Sequence, residues 1–161
     1  MAISKEKKKE IAKKLDSIKE ESSAIVFVGF KGFDANSDTV MRRKLREEGV
    51  GYFVTKKTLL KRSFTDTFSG DMPPLEGEIA LAYSSDAIAP AQNIKAFTKQ
   101  YKDKLRIVGG VFQGVYKNEE EMMEIASIPP LPVLRGMFVN VINAPLQGLV
   151  ISLQAIADKK K

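Results

Sequence analysis

Three prolines near the C-terminal end divide the chain into two parts of different composition. Pro129, Pro130 and Pro132 fall within four positions, and such a run predicts a stiff, extended linker. Before it, strand-like and helix-like patterns alternate, whereas residues 133–157 after it carry a single charge, Arg135. We therefore expect three segments: a globular domain over residues 1–128, a proline-rich linker with a connecting helix over 129–143, and a C-terminal helix over 144–161.

The first part has the pattern of a mixed α and β domain. Ala24–Val28 and Val50–Val54 are short apolar runs typical of strands, and Ile11, Leu15 and Ile18 recur at helical spacing. Alternating strands and helices predict one sheet with helices packed against it. Further strands are expected around Ile79–Tyr83, over Leu105–Val108 and over Val111–Tyr116, the last two joined through Gly109 and Gly110. Further helices are expected after Asn36 or Ser37, after Thr55, from Pro90 and after Asn118.

Neither cysteine nor histidine occurs in the sequence. This excludes disulfide frameworks, thiolate zinc sites and histidine general bases. The glycine-containing turns match neither the Walker loop nor the dinucleotide-binding fingerprint. We expect no enzymatic activity, no cofactor and no metal. Residues 1–14 also lack the apolar core of a signal peptide, which favours a cytoplasmic location.

One dense group of carboxylates precedes the linker, formed by Glu119, Glu120, Glu121 and Glu124. Such a group can hold a metal or supply an acid–base pair. Acidic residues at a helix start also complement the helix dipole, and we favour this second interpretation.

Positive charge is concentrated in the first part of the chain. The whole chain has 26 basic and 20 acidic residues, and residues 1–62 hold 16 of the basic and 9 of the acidic ones. Arg42 and Arg46 share one face of a predicted helix, and Lys57 and Lys61 share one face of the next. At the start of that second helix, unpaired backbone N–H groups add to the lysine charges, and together they form a candidate phosphate-binding site. The pattern predicts an RNA or DNA surface, with ordinary solvated helix faces as the open alternative.

Two aromatic residues could add base stacking to this surface. Phe30 and Phe33 flank Lys31 in a glycine-bounded loop, although Phe33 equally suits a core position. The stacking aromatics of the usual RNA-recognition sheets are missing, so recognition of RNA shape and phosphates is favoured.

The last segment carries an apolar stripe at helical spacing on both sides of a break at Asn143-Ala144-Pro145. Before the break the stripe consists of Leu134, Met137, Phe138, Val141 and Ile142, and after it of Leu146, Leu149, Val150, Leu153 and Ile156. Residues 136–157 lack charge over a length that could span a membrane, but several Asn and Gln residues and Pro145 argue against a span. Packing on the chain's own domain is a second interpretation. A linker that holds the helix away favours a third, a partner groove.

Several motifs, in order and spacing, carry a resemblance over the whole length. They are Phe30-Lys31-Gly32-Phe33, Met41-Arg42…Leu45-Arg46…Gly49, Phe53-Val54-Thr55-Lys56-Lys57-Thr58-Leu59-Leu60, Gly109-Gly110, Ile125-Ala126-Ser127-Ile128-Pro129 and Ala144-Pro145…Gly148-Leu149-Val150…Leu153. By these motifs the chain resembles the bacterial family of the stalk-base protein of the large ribosomal subunit, ribosomal protein ten.

The resemblance implies a fold and a function. The fold is an α+β, ferredoxin-like sandwich with helices packed on a mixed or antiparallel sheet, followed by a protruding C-terminal helical segment. The function is that of a structural constituent of the cytoplasmic ribosome, which binds ribosomal RNA beside ribosomal protein eleven. Its terminal helix tethers acidic stalk protein dimers that recruit translational GTPases, and no membrane is involved.

The resemblance and the charge pattern together give the expected site residues. RNA-binding residues are Lys31, Arg42, Arg46, Lys56, Lys57, Thr58, Lys61 and Arg62. Residues that bind stalk dimers are Leu146, Leu149, Val150, Leu153 and Ile156.

Three departures from the family pattern qualify these expectations. Pro130 and Pro132 interrupt a stretch where many relatives begin a longer helix with acidic residues. Lys56-Lys57 stands where relatives commonly have Lys-Asn, which replaces an amide contact by a charge contact. The predicted terminal helix, Pro145–Ala157, has 13 residues and a length of about 20 Å, so we expect at most two dimers.

The alternative functions are a free RNA-binding regulator, acting for example on its own messenger without a stalk role, and a membrane-surface protein.

Overall fold

The computed structural model describes residues 5–32, 34–65, 67–101, 104–129 and 131–159. The chain separates into two compact units, residues 1–127 and 128–161. The first unit contains α1 (Lys5–Glu21), β1 (Ala24–Phe30), α2 (Ala35–Glu47), β2 (Gly51–Thr55), α3 (Lys57–Phe64), β3 (Glu78–Ser84), α4 (Ala89–Gln100), β4 (Leu105–Phe112), β5 (Val115–Asn118) and α5 (Glu119–Ile125). The second unit contains α6 (Leu131–Lys159).

The first unit is built on one antiparallel sheet with the strand order β2-β3-β1-β4-β5. The crossover helices α2 and α4 pack on the same face of this sheet. Together with β1 to β4 they form the ferredoxin-like arrangement, to which β5 is added at one edge. The predicted α+β class is confirmed.

Helices cover both faces of the sheet. Along β1, Val26 and Val28 join the apolar cluster under α2, α4 and α5, whereas Ile25 and Phe27 join the cluster under α1 and α3. Side chains of a strand alternate between the two faces, so a strand buried on both sides has to be apolar throughout. This explains why β1 reads as a continuous apolar run in the sequence.

The strand β4 runs unbroken through Gly109 and Gly110, which were expected to separate two strands. The chain instead reverses at Gln113 and Gly114, both with positive φ. A Cβ atom on Gly110 would lie 2.4 Å from the carbonyl oxygen of Ile25 on β1. The pair of glycines therefore marks a close approach of two backbones and not a turn.

The helix α6 corrects the expected linker and break in the second part of the chain. It is 29 residues long, and at 1.5 Å per residue it extends about 43 Å. Pro132 falls in its first turn, where a backbone N–H has no partner to lose. Pro145 lies inside the helix and removes the hydrogen bond to the Val141 carbonyl, which is accessible to water because Val141 is exposed. The predicted 13-residue helix was too short, so its length no longer limits the number of dimers to two.

Candidate nucleic-acid interface

Half of the predicted nucleic-acid-binding residues lie at one end of the sheet. The strands β1 and β2 both end there, because Phe30 pairs with Glu78 and Thr55 pairs with Ile79 at the start of β3. The segment after β1 and the start of α3 therefore come to the same end. They carry four exposed residues of the predicted set, Lys31, Lys56, Lys57 and Thr58.

Two clefts open at this end, and Phe30 lines both. The first, which we call the β4 cleft, has a volume of about 470 Å³ and basic residues Lys31, Lys104 and Arg106 in its wall. The second, which we call the α3 cleft, has a volume of about 530 Å³ and lies against the first turn of α3. Phe30 is thus placed beside the basic residues, whereas Phe33 lies outside the described residues.

The first turn of α3 has free backbone donors. Lys56 is the N-cap residue and provides no side-chain cap hydrogen bond, and its carbonyl accepts from Leu59 and Leu60 at 3.0 and 3.1 Å. The N–H groups of Lys57 and Thr58 have no acceptor among the residues described. Thr55, which was expected to be the cap, lies one position too early. This turn can accept an anion.

The cations of α3 are available to an outside partner. Among the described residues, no carboxylate lies within ion-pairing distance of Lys56, Lys57, Lys61 or Arg62. All four side chains are exposed. Their charge is therefore not neutralised by any residue that the structure describes, so an outside polyanion can supply the counter-charge.

The C-terminal end of α3 is held by side chains from other elements. Lys19 Nζ on α1 donates to the Ser63 carbonyl at 2.8 Å, pairs with Asp16 at 2.7 Å and lies 5.6 Å from the centre of the Phe64 ring. Tyr116 Oη on β5 donates to the Phe64 carbonyl. These contacts fix α3 on the sheet while its first turn stays open.

Replacing Lys19 by methionine tests this anchorage. Methionine keeps much of the side-chain length but loses the hydrogen bond, and the Ser63 carbonyl loses its charged donor. We expect the free energy of unfolding to fall by about 2 kcal/mol, measured by urea denaturation. Lys14→Met on the same helix removes an exposed lysine and should have little effect. Equal losses in the two variants would contradict an anchoring role of Lys19.

Arg42 and Arg46 lie on α2, which packs on the sheet face opposite α3. Arg42 Nε donates to Asp38 at 2.7 Å, and its guanidinium lies 4.8 Å from the centre of the Tyr52 ring. Burial, reinforced by Asp38 and opposed by Arg42, raises the pKa of Tyr52 to about 12, so the phenol is neutral at physiological pH. Arg42 thus binds α2 to β2, whereas the exposed Arg46 forms no ion pair with any described residue. The predicted set is divided between the two faces.

The acidic group at the start of α5 has a structural explanation. Glu121 accepts hydrogen bonds from Lys117 Nζ and from the Asn118 N–H, both at 3.0 Å, and forms a capping box with Asn118. These hydrogen bonds lower the pKa of Glu121. In the described part of the chain, no group of three acidic residues is arranged to hold a metal ion.

The apolar residues of α6 are displayed along its length. The residues predicted to bind a partner are 56–65% exposed: Leu146, Leu149, Val150, Leu153 and Ile156. They recur at helical spacing and form one face of the helix. By length and composition alone, Pro132–Lys159 could also cross a membrane.

A comparison with protein-family models gives a match to ribosomal protein L10 over residues 3–99. The match covers more than half of the 161 residues and reaches from α1 into the last turn of α4. It includes all eight predicted nucleic-acid-binding residues. The strands β4 and β5 and the helices α5 and α6 follow the matched range.

Proposed function

The chain belongs to the ribosomal protein L10 family, and we propose that it binds large-subunit ribosomal RNA with its first unit and acidic stalk protein dimers with α6. The match confirms the family resemblance inferred from the sequence. Members of this family have a structural, non-enzymatic role in the large ribosomal subunit, so a ribosomal location follows. The finer proposal adds ribosomal protein eleven as a neighbour and recruitment of translational GTPases by the dimers.

One observation carries the RNA proposal: Lys56, Lys57, Lys61 and Arg62 are exposed and lack carboxylate partners within the described residues, and the first two lie at a helix start with free N–H donors. Phosphates neutralise such cations and release counterions, which favours binding at low salt. Cations that are already paired with carboxylates of the protein would contribute less free energy to RNA binding. We therefore assign the main phosphate contacts to Lys56, Lys57, Lys61 and Arg62, with Lys31 and Thr58 beside them.

The double variant Lys57→Gln with Lys61→Gln tests the RNA proposal. We expect its affinity for large-subunit ribosomal RNA to fall about tenfold near 0.1 M salt. The slope of log affinity against log salt should become shallower by roughly 1.5, because two phosphate contacts are lost. Filter binding over a series of salt concentrations measures both quantities.

The matched control is Lys95→Gln with Lys99→Gln. These lysines have the same spacing on α4, on the other face of the sheet, and the charge change is identical. Lys95 also donates to the Met123 carbonyl at 3.1 Å, so urea denaturation checks that both double variants are folded. Equal losses in the two variants would mean a diffuse charge effect and would refute the assigned surface. Retained capture of stalk dimers in the Lys57 and Lys61 variant separates the two functions.

The stalk proposal rests on the apolar face of α6. Between Leu131 and Lys159 the only charged residues are Arg135, Asp158 and Lys159, so apolar contact is the main interaction that this helix can offer. An amphipathic helix binds in a groove through residues one turn apart. Its length of about 43 Å provides room for several such grooves, and native mass spectrometry of the complex counts the dimers.

The rival functions give different results in the same experiments. A free RNA-binding regulator binds RNA but captures no stalk dimers. A membrane-surface protein floats with liposomes in a density gradient. The proposal requires RNA binding, dimer capture and no flotation.

A further inference from the structure

The α3 cleft is lined in part by apolar side chains, which do not contribute to the binding of a phosphate. Ile11, Phe30, Val54 and Ile79 contribute apolar surface, and Lys56 and Lys57 line the same cleft. A phosphate group binds to N–H donors and cations and gains nothing from apolar side chains. The cleft is therefore suited to a ligand that joins a flat apolar part to an anionic part.

One residue of the same wall, Thr55, carries a polar group without a hydrogen-bond partner among the described residues. Thr55 Oγ1 is shielded from solvent and forms no hydrogen bond with any described residue. A buried hydroxyl without a partner is unfavourable, and it can act as donor or acceptor. Rotation about its side-chain bond can present the hydroxyl in other directions, so a ligand in the cleft can supply the missing partner.

An acidic residue at the cleft further restricts the ligand. Glu78, at the start of β3, is exposed and also lines the cleft. Its carboxylate repels a phosphate placed inside but accepts hydrogen bonds from the N–H groups of a base. The cleft is thus lined by one carboxylate and by two lysines, which favours a base edge beside Glu78 and a phosphate beside Lys56 and Lys57.

We propose that the α3 cleft binds the base of one unstacked nucleotide of the RNA, with the phosphate of that nucleotide at the first turn of α3. The apolar side chains contact the faces of the base, and Thr55 and Glu78 bind its polar edge. Bases within an RNA duplex are not accessible in this way, so the nucleotide comes from a loop, a bulge or a single strand. This inference rests on the proposed RNA function and adds recognition of a base to contacts with phosphates.

Chemical footprinting of the full chain bound to large-subunit ribosomal RNA tests the inference. Dimethyl sulfate and a carbodiimide report the exposed edges of the four bases, and hydroxyl radicals report the backbone. We expect one unpaired base to be protected by the wild-type protein, within a stretch of protected backbone. Thr55→Val should expose this base and lower the affinity about three- to tenfold, while the backbone footprint stays the same.

Thr55→Ser is the matched control, because it keeps the hydroxyl and should keep the base protected. Thr55→Val should also be at least as stable as the wild type in urea, since it removes an unpartnered hydroxyl, so loss of folding cannot explain a loss of protection. Backbone protection without a protected unpaired base, or protection that survives Thr55→Val, would overturn the inference. That same result is expected if the cleft binds an apolar side chain of a neighbouring protein instead of a base. Absence of any wild-type footprint would refute the RNA function itself, and the inference with it.

Discussion

Gly110→Ala is expected to lower the free energy of unfolding of the first unit by about 4 kcal/mol, among the largest effects of a single substitution. The added Cβ atom would lie 2.4 Å from the Ile25 carbonyl oxygen and 3.0 Å from the Met122 side chain. Ile25 is part of the central strand β1, which is paired on both sides, so its backbone cannot move aside alone. Relief requires a shift of β4 and of α5 above it.

Urea denaturation followed by circular dichroism measures this change. Domains of this size unfold with about 5–15 kcal/mol, so the variant should lose a large part of its stability and partly unfold at 37 °C. Gly29→Ala is the control on the neighbouring strand, because the atoms nearest to its Cβ would belong to the side chains of Val108 and Arg106, at 3.1 to 3.3 Å. These side chains can adjust, so a loss below about 1 kcal/mol is expected. Similar losses in the two variants would show that the Ile25 backbone contact is not what requires glycine.

The same glycine shows where sequence patterns reach their limit. Glycine is suited both to turns and to close contacts between backbones, and the sequence does not distinguish the two. The turn at Gln113 and Gly114 carries only one glycine and was missed. In contrast, the run from Ala24 to Val28 could be predicted as a strand because burial on both faces leaves a continuous apolar pattern.

The proline-rich segment was misread for a related reason. Prolines prevent a helix from continuing toward its N-terminus but are tolerated in its first turn. Pro132 therefore lies in the first turn of α6 and does not extend a linker. Pro145 was interpreted as a break, yet the helix continues through it. In an exposed helix, water can donate a hydrogen bond to the carbonyl that has lost its N–H partner.

The charges of the candidate site could be predicted from the sequence, but their pairing could not. Spacing on a helix places Arg42 and Arg46 on one face. Only the structure shows that Arg42 forms an ion pair with Asp38 and packs on the ring of Tyr52. The α3 cleft likewise depends on residues from α1, β1, β2 and β3 that meet through the fold. No local pattern identifies Thr55 as a hydroxyl without a partner.

Leu149→Glu is expected to lower the affinity for acidic stalk protein dimers about 100-fold. Leu149 lies within the apolar face of α6, between Leu146 and Leu153, and anchors of this kind contribute 2 kcal/mol or more at the centre of an interface, roughly 30-fold or above. Glutamate removes the apolar contact and also brings a negative charge toward an acidic partner. Native mass spectrometry of the full chain co-expressed with the stalk protein measures the loss of bound dimers.

Ile151→Glu is the matched control for Leu149→Glu. The two side chains are 66% and 62% exposed, respectively, and the change in charge is the same, but Ile151 lies roughly 200° around the helix from Leu149. Dimer capture should survive in Ile151→Glu, and both variants should keep the RNA affinity of the wild type because α6 belongs to the second unit. Equal losses at the two positions would contradict binding through one face. Such losses are expected of a helix that enters a membrane. Loss at Leu149 alone would mean that the stripe, and not the general hydrophobicity of α6, recognises the partner.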